Sequence, residues 1–580
     1  MTLQPWWERW TGRLEWEEDQ LRQHGLTFER LGSDDGLIKF KMSVDIDGSP
    51  AELLATFPHL YPYFPPVVST EQRFGYHQHP FNGELCLLAR TDRTWLPGCS
   101  LAWLITEQLP KLVQANTLDD DEVGEPAELE EQGPEPLSGY YNFAPLHVVL
   151  IDSDWVLDPA KTSGSMEIGL FRDSGPLRGV VLRVVDDSGT VLAEADQQII
   201  GRSWSHCLTA RWYRLAEPIE ERDADAFVAA VEAQVGRLSG PGKVDGSDDL
   251  VGVVYTDDIR YGEPGDDWVF ILSRYQSRQR ASGSHRAPTR PAKREALLVK
   301  GMRSGRSDIG LRVPQLQPLA SKSVAVVGLG ALGAPAALAL ARSGVGALTL
   351  IDYDVVDAGT QPRWPIGAQA ANHPKAHFLV GLISEGYLYC SVKGHQMAIG
   401  HSASDPQAAQ HELDALADAL DSSDLILDAS ANSAVNHALA DLAFERGVPY
   451  LGVSATEGAW GGLVARLERG RTGCYLCLMR ALDGPIPLPP RDESGQVAPV
   501  ACLESTFTGP GFDLTPLADE AVRLAVSRLS EAADDGYPQA SWDVETLALR
   551  DNKGNLIPAT WKIYPLPPDG SGSCPGCGHG

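Results

Sequence analysis

At 580 residues the chain has room for three or four domains of ~100–200 residues each. Its apolar fraction of 43% suits a globular core, and no run approaches the ~18 apolar residues of a membrane span, which excludes a membrane-embedded function. A net charge of −30 disfavours coating nucleic acid. Nine cysteines, an odd number, argue against a secreted disulfide framework. The start, MTLQPWWERW, lacks the basic-then-apolar layout of a leader peptide, so a reducing, cytoplasmic location is expected.

In chain order, Trp6, Trp10, Leu14, Glu17 and Leu21 recur at helical spacing and predict one amphipathic helix over 5–24. Alternating runs over 38–44 and 51–57 predict strands, and the proline- and aromatic-dense 58–68 predicts an extended wall. Then come His79-Pro80, Gly83, Cys86-Leu87, Trp95-x-Pro97 and an amphipathic helix over 100–113. With Tyr61-Pro62 and Pro65-Pro66 ahead of them, these positions resemble the ubiquitin-conjugating enzymes. The resemblance implies that Cys86 is a thioester cysteine and that Asn82 polarises the thioester carbonyl. H-P-F-N stands closer to the cysteine than the family's H-P-N, and Leu87 replaces an acid. Cys99 is expected to pack.

Residues 119–139 read as an acidic, extended linker. From 140 to 300 the pattern turns β-rich, with one helix near 224–238 and a hairpin turn at Asp187-Ser188-Gly189, predicting an α+β middle domain. Residues 274–306, dense in Lys and Arg among Ser, Gly and Pro, predict a flexible basic loop. Its alternative role is to dock an acidic partner or to bring Arg303 or Arg306 to nucleotide phosphates.

The stretch 321–354 carries a buried strand, Gly328-x-Gly330-x-x-Gly333, an Ala/Leu-rich helix, a second buried strand and Asp352. This is a βαβ nucleotide-binding pattern: glycines let amides approach phosphate at a helix N-terminus, and the acid is placed for ribose hydroxyls. Arg363 and Lys375 follow, and Asp428 ends a later strand, with Ala431 and Asn432 beyond it. This text is similar to the adenylating ThiF/MoeB and ubiquitin-activating superfamily, which implies ATP, an Arg and a Lys on its phosphates, and Mg²⁺ held at Asp428. Thr360 and Trp364 depart from the residues usual on either side of the Arg.

Two C-x-x-C pairs, Cys474/Cys477 and Cys574/Cys577, supply four thiolates for a closed tetrahedral Zn²⁺ site, and the superfamily carries one in this layout. Between them, Cys502 followed by T-F-T-G-P-G-F-D is similar to the acceptor-cysteine segment of bacterial activating enzymes. Cys207 and Cys390, without motifs, default to packing.

The expected whole is a multidomain α/β protein. It would comprise a conjugating-enzyme-like α+β domain (1–118), the linker, the middle domain and a doubly wound adenylation domain (301–580). The resemblance, to bacterial conjugating–activating fusions of CBASS-type antiphage or related ubiquitination-like operons, implies an enzyme. It would activate a protein C-terminus with ATP, hold it on Cys502, pass it to Cys86 and conjugate it to a target amine. The activated partner would be a ubiquitin-like protein or a nucleotidyltransferase, and the enzyme a homodimer. The alternatives are a sulfur-carrier adenylyltransferase and a non-enzymatic scaffold.

Overall fold

Three sheets follow one another along the chain. The computed structural model describes residues 4–31, 36–46, 48–88, 95–116, 136–172, 174–238, 249–260, 263–275, 294–400, 406–497, 506–569, 574 and 576–577. Cys502 and most of the 119–139 linker lie outside the described residues.

The first sheet is an antiparallel meander of β1 (Phe28–Leu31), β2 (Ile38–Ile46), β3 (Ser49–Phe57) and β4 (Val67–Thr70). Its period-2 pattern sends Ile38, Phe40 and Met42 of β2, and Leu53, Ala55 and Phe57 of β3, into one core. The helix expected over 5–24 is two, Trp6–Arg9 and Arg13–Gln23, broken ahead of Gly12, a poor helix former. The helix expected over 100–113 runs from 101 to 115 and contains a π turn, Leu104–Gln108, just before Pro110, which has no N–H to donate. Ser100 caps it by accepting the Trp103 N–H.

A buried carboxylate joins these pieces. Glu17, fully buried, accepts from the Tyr61 hydroxyl, from Arg13 at 2.8 Å and from the Leu101 N–H at 2.9 Å. Arg13 continues to the carbonyls of Pro97 and Cys99, both at 2.7 Å. Burial pushes the Glu17 carboxyl above its usual range, and the Tyr61, Leu101 and Arg13 contacts oppose that.

The second sheet holds β5 (Phe143–Ile151), β6 (Ser163–Leu170), β7 (Arg178–Asp186), β8 (Val191–Glu194), β9 (His206–Arg214), β10 (Asp249–Arg260), β11 (Glu263–Tyr275) and β12 (Arg294–Arg303). Its order is β5-β12-β11-β10-β9-β6-β7-β8, and β5 also pairs with β7, so the sheet closes into a barrel. Met166, Ile168, Trp212 and Phe270 are buried in its core, and helix Ala224–Val235 packs on a second cluster with Val251, Val253 and Ile271. The 274–306 expectation needs correction: Arg294–Arg303 is β12, held between β11 and β5, because its Ala296–Val299 run fits a buried strand. Residues 276–293 lie outside the described residues. Cys207 is exposed rather than packed, whereas Cys390 is buried and its thiol is pushed up to about 12 by burial.

The third sheet contains β13 (Ser323–Val327), β14 (Ala347–Ile351), β15 (Ser391–His395), β16 (Leu425–Asp428), β17 (Tyr450–Ala455) and β18 (Gly461–Leu467). The short pair β19 (Gln496–Val497) and β20 (Thr506–Phe507) stands apart, and β21 (Val544–Arg550) and β22 (Leu556–Tyr564) complete the main sheet. The order is β15-β14-β13-β16-β17-β18-β21-β22, parallel from β15 to β17 and antiparallel beyond. Helices Gly333–Arg342 and Gly511–Leu529 cover one face, and Pro406–Asp421 and Ser433–Arg446 the other. Barrel and third sheet meet where Arg202 donates to the Tyr387 and Leu388 carbonyls at 2.6 and 2.7 Å and Arg306 lies over the Tyr389 ring at 4.4 Å. Among the described residues, no helix is long and apolar enough to cross a membrane.

Removing Glu17 leaves Arg13 and Tyr61 facing an empty buried position. Glu17→Ala should lower the opening free energy of β2 and β3 by about 3–5 kcal/mol. Amide hydrogen exchange over 38–57 measures it, and unchanged protection there would show that the carboxylate is dispensable to this core.

Candidate functional site

From β13 the chain passes outward through β14 to β15, then crosses back to β16 on the other side of β13. The C-terminal ends of β13 and β16 therefore lie side by side, with Val327 opposite Asp428, at the switch point where open α/β sheets bind ligands. Gly328 and Gly333 make the turn after β13 compact. A Cβ on Gly328, at φ +78°, would lie 2.5 Å from the Ser430 Cα, and one on Gly333 would lie 1.8 Å from the Gly328 carbonyl. Gly330 faces open space.

The peptide units of Leu329 are held from both sides. Asp352, 8% exposed, accepts the Leu329 N–H at 2.6 Å and the Asp354 N–H at 2.7 Å. Trp364, 5% exposed, donates its indole N–H to the Leu329 carbonyl at 2.9 Å. Burial raises the Asp352 carboxyl's pKa, and the charge of Lys375 acts against it. Asp352 thus braces the glycine turn through one carboxylate oxygen and the 353–375 segment through the other. No local pattern marks this role of Trp364.

The two expected cations come from the 353–375 segment. Lys375, first residue of helix Lys375–Gly386, pairs with Asp354 at 2.6 Å. Arg363 donates to the Phe507 carbonyl at 2.6 Å, and its guanidinium lies 5.5 Å from that ring's centre. Burial lowers the Arg363 pKa. Phe507 belongs to β20, so Arg363 ties β20 to the 353–375 segment.

Asp428 is fully buried and already engaged. One oxygen accepts the Ser430 N–H at 2.9 Å; the other accepts from Asn436 at 2.8 Å and from the Tyr450 hydroxyl at 2.9 Å. Ala431, left-handed at φ 56°, offers no ligand. This donor set does not fit Mg²⁺: a magnesium ligand needs a carboxylate oxygen open to the cation, and here the carboxylate orders the strand end instead. Arg303 and Arg306 are likewise not at the phosphate end. Arg303 pairs with Asp308, and Arg306 with Asp196 at the barrel seam.

The four C-x-x-C sulfurs gather, all within 4.8 Å of one another, with Cys474–Cys574 and Cys477–Cys577 both at 3.5 Å. Tetrahedral Zn–S bonds of ~2.3 Å place sulfurs ~3.8 Å apart, so the thiols fit zinc. Close approach requires glycine here, since a Cβ on Gly576 would lie 2.6 Å from the Cys474 sulfur.

In the first unit Cys86 is half-buried in a loop held by backbone bonds from Leu85 to Val68 and from Cys86 to His77, both at 2.8 Å. Asn82 is exposed, and its side-chain oxygen accepts the Glu84 N–H at 3.1 Å, which shapes the turn before Cys86. The Trp95 indole donates to the Pro62 carbonyl at 2.8 Å and joins the two proline elements.

Residues 307–509 match the ThiF family. The chain is 32% identical over 598 residues to the uncharacterized protein y4oA of Sinorhizobium fredii, covering 98% of this chain and 97% of that one. It is also 32% identical over 561 residues to y4qC of the same organism, covering 92% and 90%. The adenylyltransferase and sulfurtransferase UBA4 of Yarrowia lipolytica is 29% identical over 216 residues, 37% of this chain and 48% of that protein. Among solved structures, E. coli MccB with ATP is 14% identical, with a TM-score of 0.33, over 46% of this chain and 69% of MccB.

The glycine turn separates folding from ligand contact. Gly333→Ala should lower the melting temperature, because its Cβ has no room beside Gly328. Gly330→Ala should melt as the wild type does yet weaken nucleotide binding, since its Cβ enters the open side. Thermal melts with and without ATP distinguish the two.

Proposed function

This chain belongs to one family with y4oA and y4qC and carries a ThiF-family segment, and from that premise we propose that it activates a protein C-terminus with ATP and conjugates it to an amine. The observation that carries the reading is the glycine turn at the switch point, braced by Asp352 and Trp364, with Lys375 and Arg363 supplied by the following segment. A carboxylate of the partner protein attacks the α-phosphorus of ATP and pyrophosphate leaves. Charge that develops on phosphate oxygens is stabilised by the ammonium and guanidinium groups, fixed before the reaction begins.

The Cys502 thiolate then attacks the acyl-adenylate carbonyl and AMP leaves. The short chain distance from Cys502 to Phe507, whose carbonyl accepts from Arg363, supports this order. Cys86 takes the acyl group by transthiolation, releasing the Cys502 thiolate. A target amine next attacks the Cys86 thioester, forms an amide, loses a proton and frees the thiolate. The first unit supports this reading by its order: helix, four-stranded meander, cysteine loop, helix. Tethering both cysteines in one chain raises their effective concentration. A second reading, adenylation of a sulfur carrier, is favoured by the likeness to UBA4 over 37% of the chain.

Zinc bound at Cys474, Cys477, Cys574 and Cys577 would be structural, since four thiolates leave no open position, and it would pin the C-terminal segment to helix Tyr475–Leu482. Metal analysis of reduced protein should find one zinc per chain. Cys574→Ser should lose it and lower stability, because structural zinc contributes ~10–16 kcal/mol of apparent binding energy in small zinc domains.

Partner-dependent ATP–pyrophosphate exchange tests adenylation, with small proteins encoded beside this gene as candidate substrates. Lys375→Ala should slow it by about 100-fold or more. Cys502→Ala should keep exchange but lose any thiol-sensitive adduct on Cys86, whereas Cys86→Ala should accumulate the adduct on Cys502. Wild-type charging of Cys86 in the Cys502→Ala protein would mean that Cys86 attacks the adenylate directly. Exchange without any adduct on Cys86 would favour the sulfur-carrier reading.

A further inference from the structure

We propose that the barrel is a working part of the Cys86 site, with Tyr140 as the positioning residue that holds the Cys86 loop through His79. This rests on the reading of Cys86 as an acyl carrier, and it gives the middle of the chain a role beyond spacing the two ends.

His79 is the hub of the loop. Its Nδ1 accepts the N–H groups of Phe81 at 3.1 Å and Asn82 at 3.3 Å. The His79 backbone N–H donates to the Glu84 carbonyl at 2.8 Å, and its backbone carbonyl accepts the Gly83 N–H at 3.1 Å. The turn from 79 to 84, which leads directly into Cys86, is therefore pinned by one residue, through its imidazole to Phe81 and Asn82 and through its backbone to Gly83 and Glu84. The Tyr140 ring packs edge-on against that imidazole, with centroids 4.6 Å apart at 65°. Phe81, from the same turn, packs on the barrel cluster beside Tyr141, with centroids 6.4 Å apart.

Tyr140 can act this way because the barrel fixes its backbone. The short turn Leu137–Tyr140 is anchored at its start by the Leu137 N–H on Asp257 at 2.9 Å and by Ser138 on the buried carboxylate of Asp267. Just after the turn, the Tyr141 hydroxyl donates to the Ile219 carbonyl at 2.6 Å, and Asn142 donates to Asp223 at 2.6 Å. Four anchors from different parts of the barrel thus bracket one half-buried aromatic side chain whose ring leaves the barrel and meets the conjugating-type loop. A ring held so firmly against the hub histidine sets the loop's shape, and with it the presentation of the Cys86 sulfur.

The test uses the full chain and N-ethylmaleimide, with labelling of the Cys86 and Cys99 peptides followed by mass spectrometry. Tyr140→Ala should change the Cys86 labelling rate at least ~3-fold, because thiol reactivity follows access and local field. Labelling of Cys99, half-buried in the same unit but held by the Arg13 side, should stay at the wild-type rate. Tyr140→Phe keeps the ring and should restore wild-type labelling of Cys86. A smaller Cys86 change in Tyr140→Ala overturns the proposal. So does a parallel change at Cys99, which would mean general loosening, or a Tyr140→Phe effect as large as that of alanine. The readout needs no acyl partner, so failure of the conjugation chemistry and failure of this proposal are separate results.

Discussion

The peptide units of Leu329 are the point on which the nucleotide end of the third sheet depends. Parallel strands β13, β14 and β16 bring three loops to one place, and each loop exposes polar backbone that must be paired. Asp352 takes the Leu329 N–H and Trp364 takes its carbonyl, so the residue between Gly328 and Gly330 cannot rotate. Burying a carboxylate there is unfavourable in itself. It is tolerated because the same carboxylate also accepts the Asp354 N–H and lies within the field of Lys375.

The same device recurs. Glu17 joins a helix, the Pro97–Cys99 loop and the N-terminus of the 101–115 helix in the first unit. Asp428 gathers Ser430, Asn436 and Tyr450 at the end of β16. Asp257 and Asp267 hold the turn that carries Tyr140. In each case a carboxylate accepts hydrogen bonds from separate segments and acts as a joint.

The barrel changes how the two ends relate. Its closure through β5 makes it a rigid body rather than an open spacer sheet. It touches the third sheet through Arg202 and Arg306 and the Cys86 loop through Tyr140 and Tyr141.

The sequence alone determined the elements whose signal is local. The βαβ unit at 323–351 followed from buried β-branched runs, glycines that only a tight turn requires and an Ala/Leu helix, and β2 and β3 from strict alternation. The four thiols at 474, 477, 574 and 577 were legible from spacing, since two C-x-x-C pairs have few other uses. Tertiary structure decided the rest, because it depends on partners far apart in the chain. Asp352 meets the Leu329 amide, and Asp428 meets Asn436 and Tyr450, through bonds that no local pattern marks. Arg294–Arg303 read as a basic loop until β5 and β11 enclosed it, and Tyr140 carried no local mark at all. Periodicity records which face of an element is buried; which polar group meets which is set only when the sheets close.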